Sequence, residues 1–400
     1  MGDLWECLIV DLTDSGLVES YQETLTQIPE EFSLNVVTDE ATALVAMEAG
    51  GVVLMVILAE EYSPDVESLL QGYQSKVGCL PDFQAIVCED AGPRFMVSVF
   101  EFGVEQFWPK TEWVERFTEL LDRTRETLLD SETTESKTLK VLKSIRQADQ
   151  EEIIAGQAAL EELATYDYRA AMARGRAFEA TSNLVEAEAA FSQSKNLNSM
   201  CRSADSQLAE VMMVNGKTDE ALAIYSKLEK SNPRNASRKA ALACIYVEKG
   251  DHEMAKKFLK EANALSPKGS KVQEAKAQYY LGTGDMGKAF KLLDQLDEVG
   301  PHFAAKLNEL GVRLSQAGKG KSALALYQKA HKVVRPELRY KISMNAALAC
   351  RRLKSYEMAL KYLKRCQKEY GKRFEKLDKI EVNLKALISQ AAKAGDKQAG

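Results

Sequence analysis

Four hundred residues exceed one ordinary domain, and a mix of 45% hydrophobic with 28% charged residues excludes a disordered chain and a small disulfide-stapled scaffold. The net charge of −6 hides an asymmetry: residues 1–135 hold 28 acids and 6 bases, whereas residues 136–400 hold 31 acids and 47 bases. Such opposite signs fit two units with different partners, two units that attract each other within the roughly 8–10 Å reach of unscreened charge, or two plainly solvated surfaces. The seven cysteines, Cys7, Cys79, Cys88, Cys201, Cys244, Cys350 and Cys366, are scattered, odd in number and never spaced C-x-x-C. They predict neither a disulfide framework nor a zinc site and suit a reducing cytoplasm. Asp3 and Glu6 stand where a leader peptide carries bases, and the longest apolar run, 52–59, is too short for a bilayer. A cytoplasmic chain without membrane insertion is therefore expected.

Residues 1–131 alternate apolar runs with helical stretches. Strands are predicted over 6–11, 34–37, 51–59, 83–88 and 105–108, and helices over 17–27, 40–48, 66–73, 95–102 and 111–129. Five strands, each followed by a helix, predict a doubly wound parallel sheet.

Particular residues sharpen this. Leu8-Ile9-Val10-Asp11 forms a first strand ending in an acid. Val56-Ile57-Leu58-Ala59-Glu60 is followed four residues later by Pro64. Ala85-Ile86-Val87-Cys88 forms a fourth strand, and Gly103-Val104-Glu105-Gln106-Phe107-Trp108-Pro109-Lys110 a fifth. The order and spacing resemble the receiver domain of bacterial response regulators. The resemblance implies a pocket of Asp11, Glu60, Cys88 and Lys110. Phosphoryl transfer to aspartate needs acids for Mg²⁺, a nucleophilic carboxylate, a hydroxyl and a lysine. Here Leu12 replaces the second acid, Glu60 stands at the phosphoacceptor position, Cys88 replaces Thr or Ser, and Thr111 follows Lys110 in place of proline. A receiver-like domain that no longer takes phosphate is expected, with a permanent Glu60–Lys110 ion pair or, alternatively, Glu60 as a plain surface acid. Asp65 is a rival acceptor in a loop or first helical turn.

The polar run 131–137 is predicted to be a linker, and 138–165 to be helical, as an amino-terminal cap or degenerate hairpin ahead of the region from 168 onward. A dimerising helix is disfavoured by the broken heptads.

From residue 168 the chain repeats. Ala187, Ala221, Ala255, Ala289 and Ala323 lie 34 residues apart, and Ala359 comes after 36 more. Each precedes a large apolar residue by four positions: Phe191, Tyr225, Leu259, Leu293, Tyr327 and Leu363. Gly175, Ala209, Ala243, Ala277, Gly311 and Ala347 keep the same phase in the preceding helix. Gly216, Gly250, Gly284 and Gly318 stop the first helices; Pro233, Pro267, Pro301 and Pro336 fall in the turns after the second ones. Small residues let paired helices approach, large ones fill the remaining holes, and stacked neighbours bury what one hairpin cannot.

This phasing resembles the tetratricopeptide repeat family, with its G-x-x-Y…A-x-x-x-F…P signature, over 168–371 in six copies. The early tryptophan of that family is absent, and Ser182 and Ser199 replace the usual glycine and proline of the first copy. The domains expected are thus 1–131, 132–167, 168–371, and a capping helix with tail over 372–400. That helix is predicted over 373–393, with Phe374, Leu377, Ile380, Val382, Leu384, Leu387 and Ile388 on its apolar side.

The resemblance implies a concave groove lined by the first helices. Helical phase assigns it Met172 and Arg176, then Glu210 and Met213, Cys244 and Val247, Glu274, Gln278 and Leu281, Asn308 and Val312, and Met344 and Arg351, in successive copies. Apolar and methionine positions among charges suit an adaptable surface for a peptide or protein partner. His252, His302 and His331 have no metal-ligand spacing and are read as exposed turn or helix residues. No phosphate loop, nucleophile elbow or zinc-protease motif occurs, so no enzyme, metal or cofactor is expected. Arg351, Arg352, Lys354, Lys361, Lys364, Arg365, Lys368, Lys372, Arg373 and Lys376 crowd the last copy and cap. They suit nucleic acid or an acidic partner, although a solvated face is the plainer reading. The sequence thus points to a bacterial signalling adaptor that binds proteins through the groove and through the receiver-like domain. A phosphorylatable response regulator with a repeat output, and a nucleic-acid binder, are the alternatives.

Overall fold

The computed structural model describes residues 5–13, 17–21, 25, 28–49, 52–61, 63–76, 83–89, 92–147, 149–199, 201–370 and 375–396. Cys79, Lys372, Arg373 and Phe374 lie outside them. The chain divides into two compact units, Met1–Lys239 and Ala240–Gly400.

The first unit opens with five strands: β1 (Trp5–Asp11), β2 (Phe32–Val37), β3 (Val52–Leu58), β4 (Gln84–Val87) and β5 (Gln106–Trp108). They pair in parallel in the order β2-β1-β3-β4-β5. Every residue of β3 is buried, as a strand covered on both faces requires. Alternate residues feed two cores. Leu8, Val10, Met55 and Ile57 face α1 (Glu40–Ala49), α2 (Pro64–Lys76) and α3 (Pro93–Phe100). Cys7, Ile9, Leu54 and Val56 face Trp113, Phe117 and Leu121 of α4 (Trp113–Leu129). Within the predicted helix 17–27, a 3-10 turn, Glu19–Tyr21, is described, while 22–24 and 26–27 lie outside the described residues.

The run expected as a linker is mostly helix. Thr133 Oγ1 accepts the Ser136 N–H at 3.2 Å, and this cap starts α5 (Thr134–Gln147) inside the polar stretch. The segment 138–165, expected to be helical as a cap or degenerate hairpin, breaks before α6 (Gln150–Ala159), which Asp149 caps by accepting the Glu152 N–H at 3.1 Å. The two helices form a close hairpin: a Cβ on Gly156 would lie 2.3 Å from Val141 Cγ2.

Helix pairs come next: α7 (Tyr168–Ala180) with α8 (Leu184–Leu197), α9 (Arg202–Val214) with α10 (Thr218–Ser231), and α11 (Ala236–Glu248) with α12 (His252–Leu265). Then come α13 (Ser270–Gly282) with α14 (Met286–Leu293), α15 (Pro301–Gln316) with α16 (Gly320–Val333), and α17 (Arg339–Arg352) with α18 (Tyr356–Tyr370). The first helices close in one recurrent way. Gly216 and Gly250 adopt φ of +77° and +76°, and the residue after each donates back to Met212 O and Tyr246 O, at 2.8 and 2.9 Å. Ser182 and Lys354 take the same conformation, at φ +62° and +59°, with Asn183 N and Ser355 N closing onto Phe178 O and Cys350 O. The tertiary closure outweighs the roughly 1–2 kcal/mol that a side chain costs there.

The second unit ends in α19 (Glu375–Asp396), whose Leu377 and Leu384 join Ala347, Cys350 and Leu363 in one core. Val382, expected on that apolar side, is 69% exposed. Its place between Leu377 and Leu384, five and two residues away, turns it to the opposite face.

Candidate functional site

Parallel pairing collects the carboxyl ends of four strands. Asp11 of β1 pairs with Leu58 of β3, Ala59 N donates to Val87 O at 3.1 Å, and Cys88 N donates to Trp108 O at 3.1 Å. This is the edge where open α/β sheets place their sites. Lys110 forms an ion pair with Glu60, whose side chain is 58% exposed. Asp11 is buried and turned inward on its own loop, accepting Thr13 N–H at 2.9 Å and Thr13 O–H at 2.6 Å. Cys88 is buried. Asp65 sits in the first turn of α2. The structure therefore joins Glu60 to Lys110 and gives Asp11 a local partner. Among the described residues no group of three or more His, Cys, Asp or Glu is arranged to hold a metal ion. An exposed pair of this kind is worth about 0–1 kcal/mol, so its weight lies in the charge it cancels at the sheet edge.

A second polar cluster has no counterpart in the sequence reading. Glu101, just past α3, is 6% exposed, and Arg238, in the first turn of α11, is 3% exposed. Arg238 Nη1 donates to both Glu101 carboxylate oxygens at 3.1 Å, its Nε donates to Glu229 Oε2 at 3.2 Å, and its Nη2 donates to Asn232 O. Asn235 Nδ2 donates to Glu101 Oε2 at 3.2 Å, and the Ala236 N–H to Glu67 Oε1 of α2 at 2.8 Å. Within the first unit, two buried acids thereby tie the α/β domain to residues 235–238. Burial pushes the Glu101 carboxyl above its ordinary range, against the opposing pull of Arg238 and Asn235. An acid closing the mostly apolar helix 93–100 was the available signal.

The predicted groove residues separate by burial. Met172 joins a core with Phe191 and Leu208 in the first unit, and Met213 is also buried. In the second unit Cys244, Gln278 and Leu281 are buried. These five belong to packing instead of open surface, because a first helix packs against its partner helix and the neighbouring first helices at once. Arg176 and Glu210 are half-buried, as are Val247, Glu274, Asn308, Val312 and Met344, while Arg351 is exposed. Glu274 Oε2 accepts the Gly300 N–H at 3.0 Å, and Met344 packs beside the last core.

What runs along the first helices of the second unit is a polar ladder. Glu248 of α11 meets His302 Nε2 of α15 at 2.7 Å and Lys306 Nζ at 3.5 Å, and Gln278 of α13 donates to Glu248 Oε1 at 3.4 Å. Asn345 Nδ2 of α17 donates to Asn308 Oδ1 at 2.7 Å, and Arg352 Nη1 donates to Ser315 Oγ at 2.9 Å. Burial raises the Glu248 carboxyl, but the bonds and charges of His302 and Lys306 outweigh it and hold the group below its ordinary value. The histidines are therefore not exposed as expected: His302 is buried, and His252 and His331 are half-buried. Two of them pair with an acid that makes burial tolerable, Glu248 for His302 and Glu369 for His331, while the His252 ring meets the Tyr279 ring edge-on at 6.4 Å. Burial also pushes the Cys350 and Cys366 thiols up to about 11, so neither is a nucleophile near neutrality.

Residues 237–268, the third hairpin, match the family model of the tetratricopeptide repeat. A comparison with curated proteins finds no match. Among solved structures, a tetratricopeptide repeat protein from Parabacteroides merdae aligns at 12% identity and a TM-score of 0.39, covering 62% of this chain and 99% of that one. The APC/C hetero-tetramer Cut9-Hcn1 aligns at 15% identity and 0.41, covering 67% of this chain and 52% of that one, about half its length. YrrB, described as a TPR protein with an unusual peptide-binding site, aligns at 16% identity and 0.26, covering 54% and 92%. The chain is an α/β domain of five parallel strands followed by paired helices, one pair of which matches the tetratricopeptide repeat.

Proposed function

We propose that this chain is a non-enzymatic adaptor of bacterial signalling that binds a protein or peptide on the first helices of its repeats. Its domain 1–131 acts as a receiver-like module that no longer takes phosphate. The segment 132–167 leads into six repeats over 168–371, and 372–400 closes the array. The observation that carries this reading is the polar ladder of Glu248, His302, Lys306, Asn308 and Asn345. It joins successive first helices of one unit, beside the half-buried Val247, Val312 and Met344. Alternating fixed polar groups with apolar patches suits main-chain recognition with side-chain selection. The tetratricopeptide match at 237–268 supports the same reading.

The reading is tested by capture from a bacterial lysate on immobilised full-length protein, with Lys306→Glu and Arg351→Glu variants beside it. A protein held by the parent and lost from both variants is expected. Identical captures by all three would move the binding surface elsewhere.

Glu60–Lys110 supports the receiver-like part, because the lysine that would steady a phosphoryl group is already held by a carboxylate. Incubation with acetyl phosphate and Mg²⁺ is expected to leave the intact mass unchanged. Phosphate located at Glu60 or Asp65 would restore the phosphorylatable response regulator.

A further inference from the structure

The second unit contains a cleft of about 450 Å³ between α16 and α18, floored by α17. Its floor is apolar: Ile342 and Ala346 are buried, and Tyr327 and Tyr362 line it. Its rim is basic, with Lys329 and Lys332 from α16 and Arg365 from α18. The bias is broader than the rim, since neither α16 nor α17 contains an acid. Arg365 is one of the basic residues that crowd the last copy, and Lys329 and Lys332 precede that cluster in the sequence.

One cation of the cleft is fixed in place. Arg365 Nε donates to Glu369 Oε1 at 2.9 Å, and its Nη2 donates to His331 Nδ1 at 2.9 Å. His331 Nε2 lies 2.6 Å from Glu369 Oε1, and Ser343 Oγ donates to Glu369 Oε2 at 2.6 Å. A histidine that accepts at Nδ1 donates at Nε2 and is neutral, in keeping with burial, the leading influence, lowering its pKa. The charge of Glu369 is thus shared among three donors, and Arg365 is oriented through two of its nitrogens with Nη1 left over. Lys329 is held by Asp294, while Lys332 is exposed. A guanidinium held by its neighbours binds a carboxylate at less entropic cost than a free side chain does.

We propose that this cleft is a second binding site, independent of the first-helix face, for an acidic polypeptide segment. One carboxylate would bind Arg365 and Lys332, and an adjacent apolar side chain would enter over Ile342 and Ala346. The charge of the site calls for an anion, and its apolar floor selects a peptide over a sugar-phosphate backbone. A nucleic acid needs a row of cations along its strand, whereas Asp294 holds Lys329 and the cleft leaves Arg365 Nη1 and Lys332 for a single anion.

Fluorescence polarisation of the full chain with a labelled peptide of glutamates surrounding one leucine tests this. Binding is expected, weakened about tenfold by Lys332→Glu and by Arg365→Gln, and unchanged by Lys341→Glu, an exposed α17 site off the cleft. Should Arg365→Gln lose its helical circular dichroism, Lys332→Glu, at an exposed site, decides alone. Absence of binding, equal binding by the folded cleft variants, or an equal loss in Lys341→Glu would overturn the proposal. So would oligothymidine bound as tightly with the same losses, which would make the site one for nucleic acid.

Discussion

Replacing Arg238 with alanine is expected to destabilise the Met1–Lys239 unit by about 3–5 kcal/mol, the range for breaking a buried ion pair from one side. The arginine carries four anchors at once: both oxygens of Glu101, Glu229 and the Asn232 carbonyl. Its loss leaves Glu101 buried with the neutral amides of Asn235 and Asn232 beside its charge. The pH dependence follows from the sign of the shift. Glu101 already has a folded pKa above its unfolded one, so its contribution to stability falls as pH rises through that raised value. Without Arg238 the raised value climbs further, and the deficit of the variant is expected to be largest near neutrality and to shrink toward pH 4. The three tryptophans, Trp5, Trp108 and Trp113, all belong to the α/β domain, so their emission through a urea titration follows it. The paired change Glu101→Leu with Arg238→Met is expected to recover most of the loss, since a buried ion pair gains little over apolar groups of similar volume. An unchanged urea midpoint in Arg238→Ala would mean that the α/β domain draws no stability from this pair.

That junction also marks where sequence reading stops. The strands of the sheet could be read because buried parallel strands are continuous apolar runs, and 52–59 is one. The repeats could be read because Gly216, Gly250, Gly284 and Gly318 recur where the backbone takes a positive φ, and Gly175 and Gly311 stand where a ring packs on the helix. Glu60 and Lys110 meet because the register of a parallel sheet brings strand ends together. By contrast, Glu101 and Arg238 lie 137 residues apart and belong to no periodic pattern, so nothing local announces that they pair. The predicted groove is too wide for a related reason. Helical phase finds the side of a helix away from its own partner, but Met172, Met213 and Gln278 are covered by the packing of further helices, which a single-helix period does not contain. The run 131–137 reads as a linker because its apolar period is weak, while Thr133 caps the helix that nonetheless begins at Thr134.

Tyr327→Ala is expected to cost the second unit about 3–5 kcal/mol, as for other large aromatic truncations in a core. Its ring is buried against the first helix of its own hairpin, and the fit is specific to glycine there. A Cβ on Gly311 would lie 2.3 Å from Tyr327 Cε1, 2.5 Å from Cζ and 2.9 Å from the hydroxyl. The contact involves the rigid body of the ring, so the ring or the helix must move. Gly311→Ala should therefore destabilise by about 1–3 kcal/mol, although alanine favours helix by about 1 kcal/mol over glycine. The opposite sign would hold if only propensity mattered. Combining Gly311→Ala with Tyr327→Leu shortens the side chain that the new methyl meets, and the double variant should lose less than the sum of the two single losses. Gly175 and Phe191 repeat the arrangement in the first unit, with a Cβ 2.6 Å from Phe191 Cε1, and should show the same coupling. Strict additivity in chemical denaturation of both pairs would refute the idea that small-against-large packing sets the spacing of these hairpins.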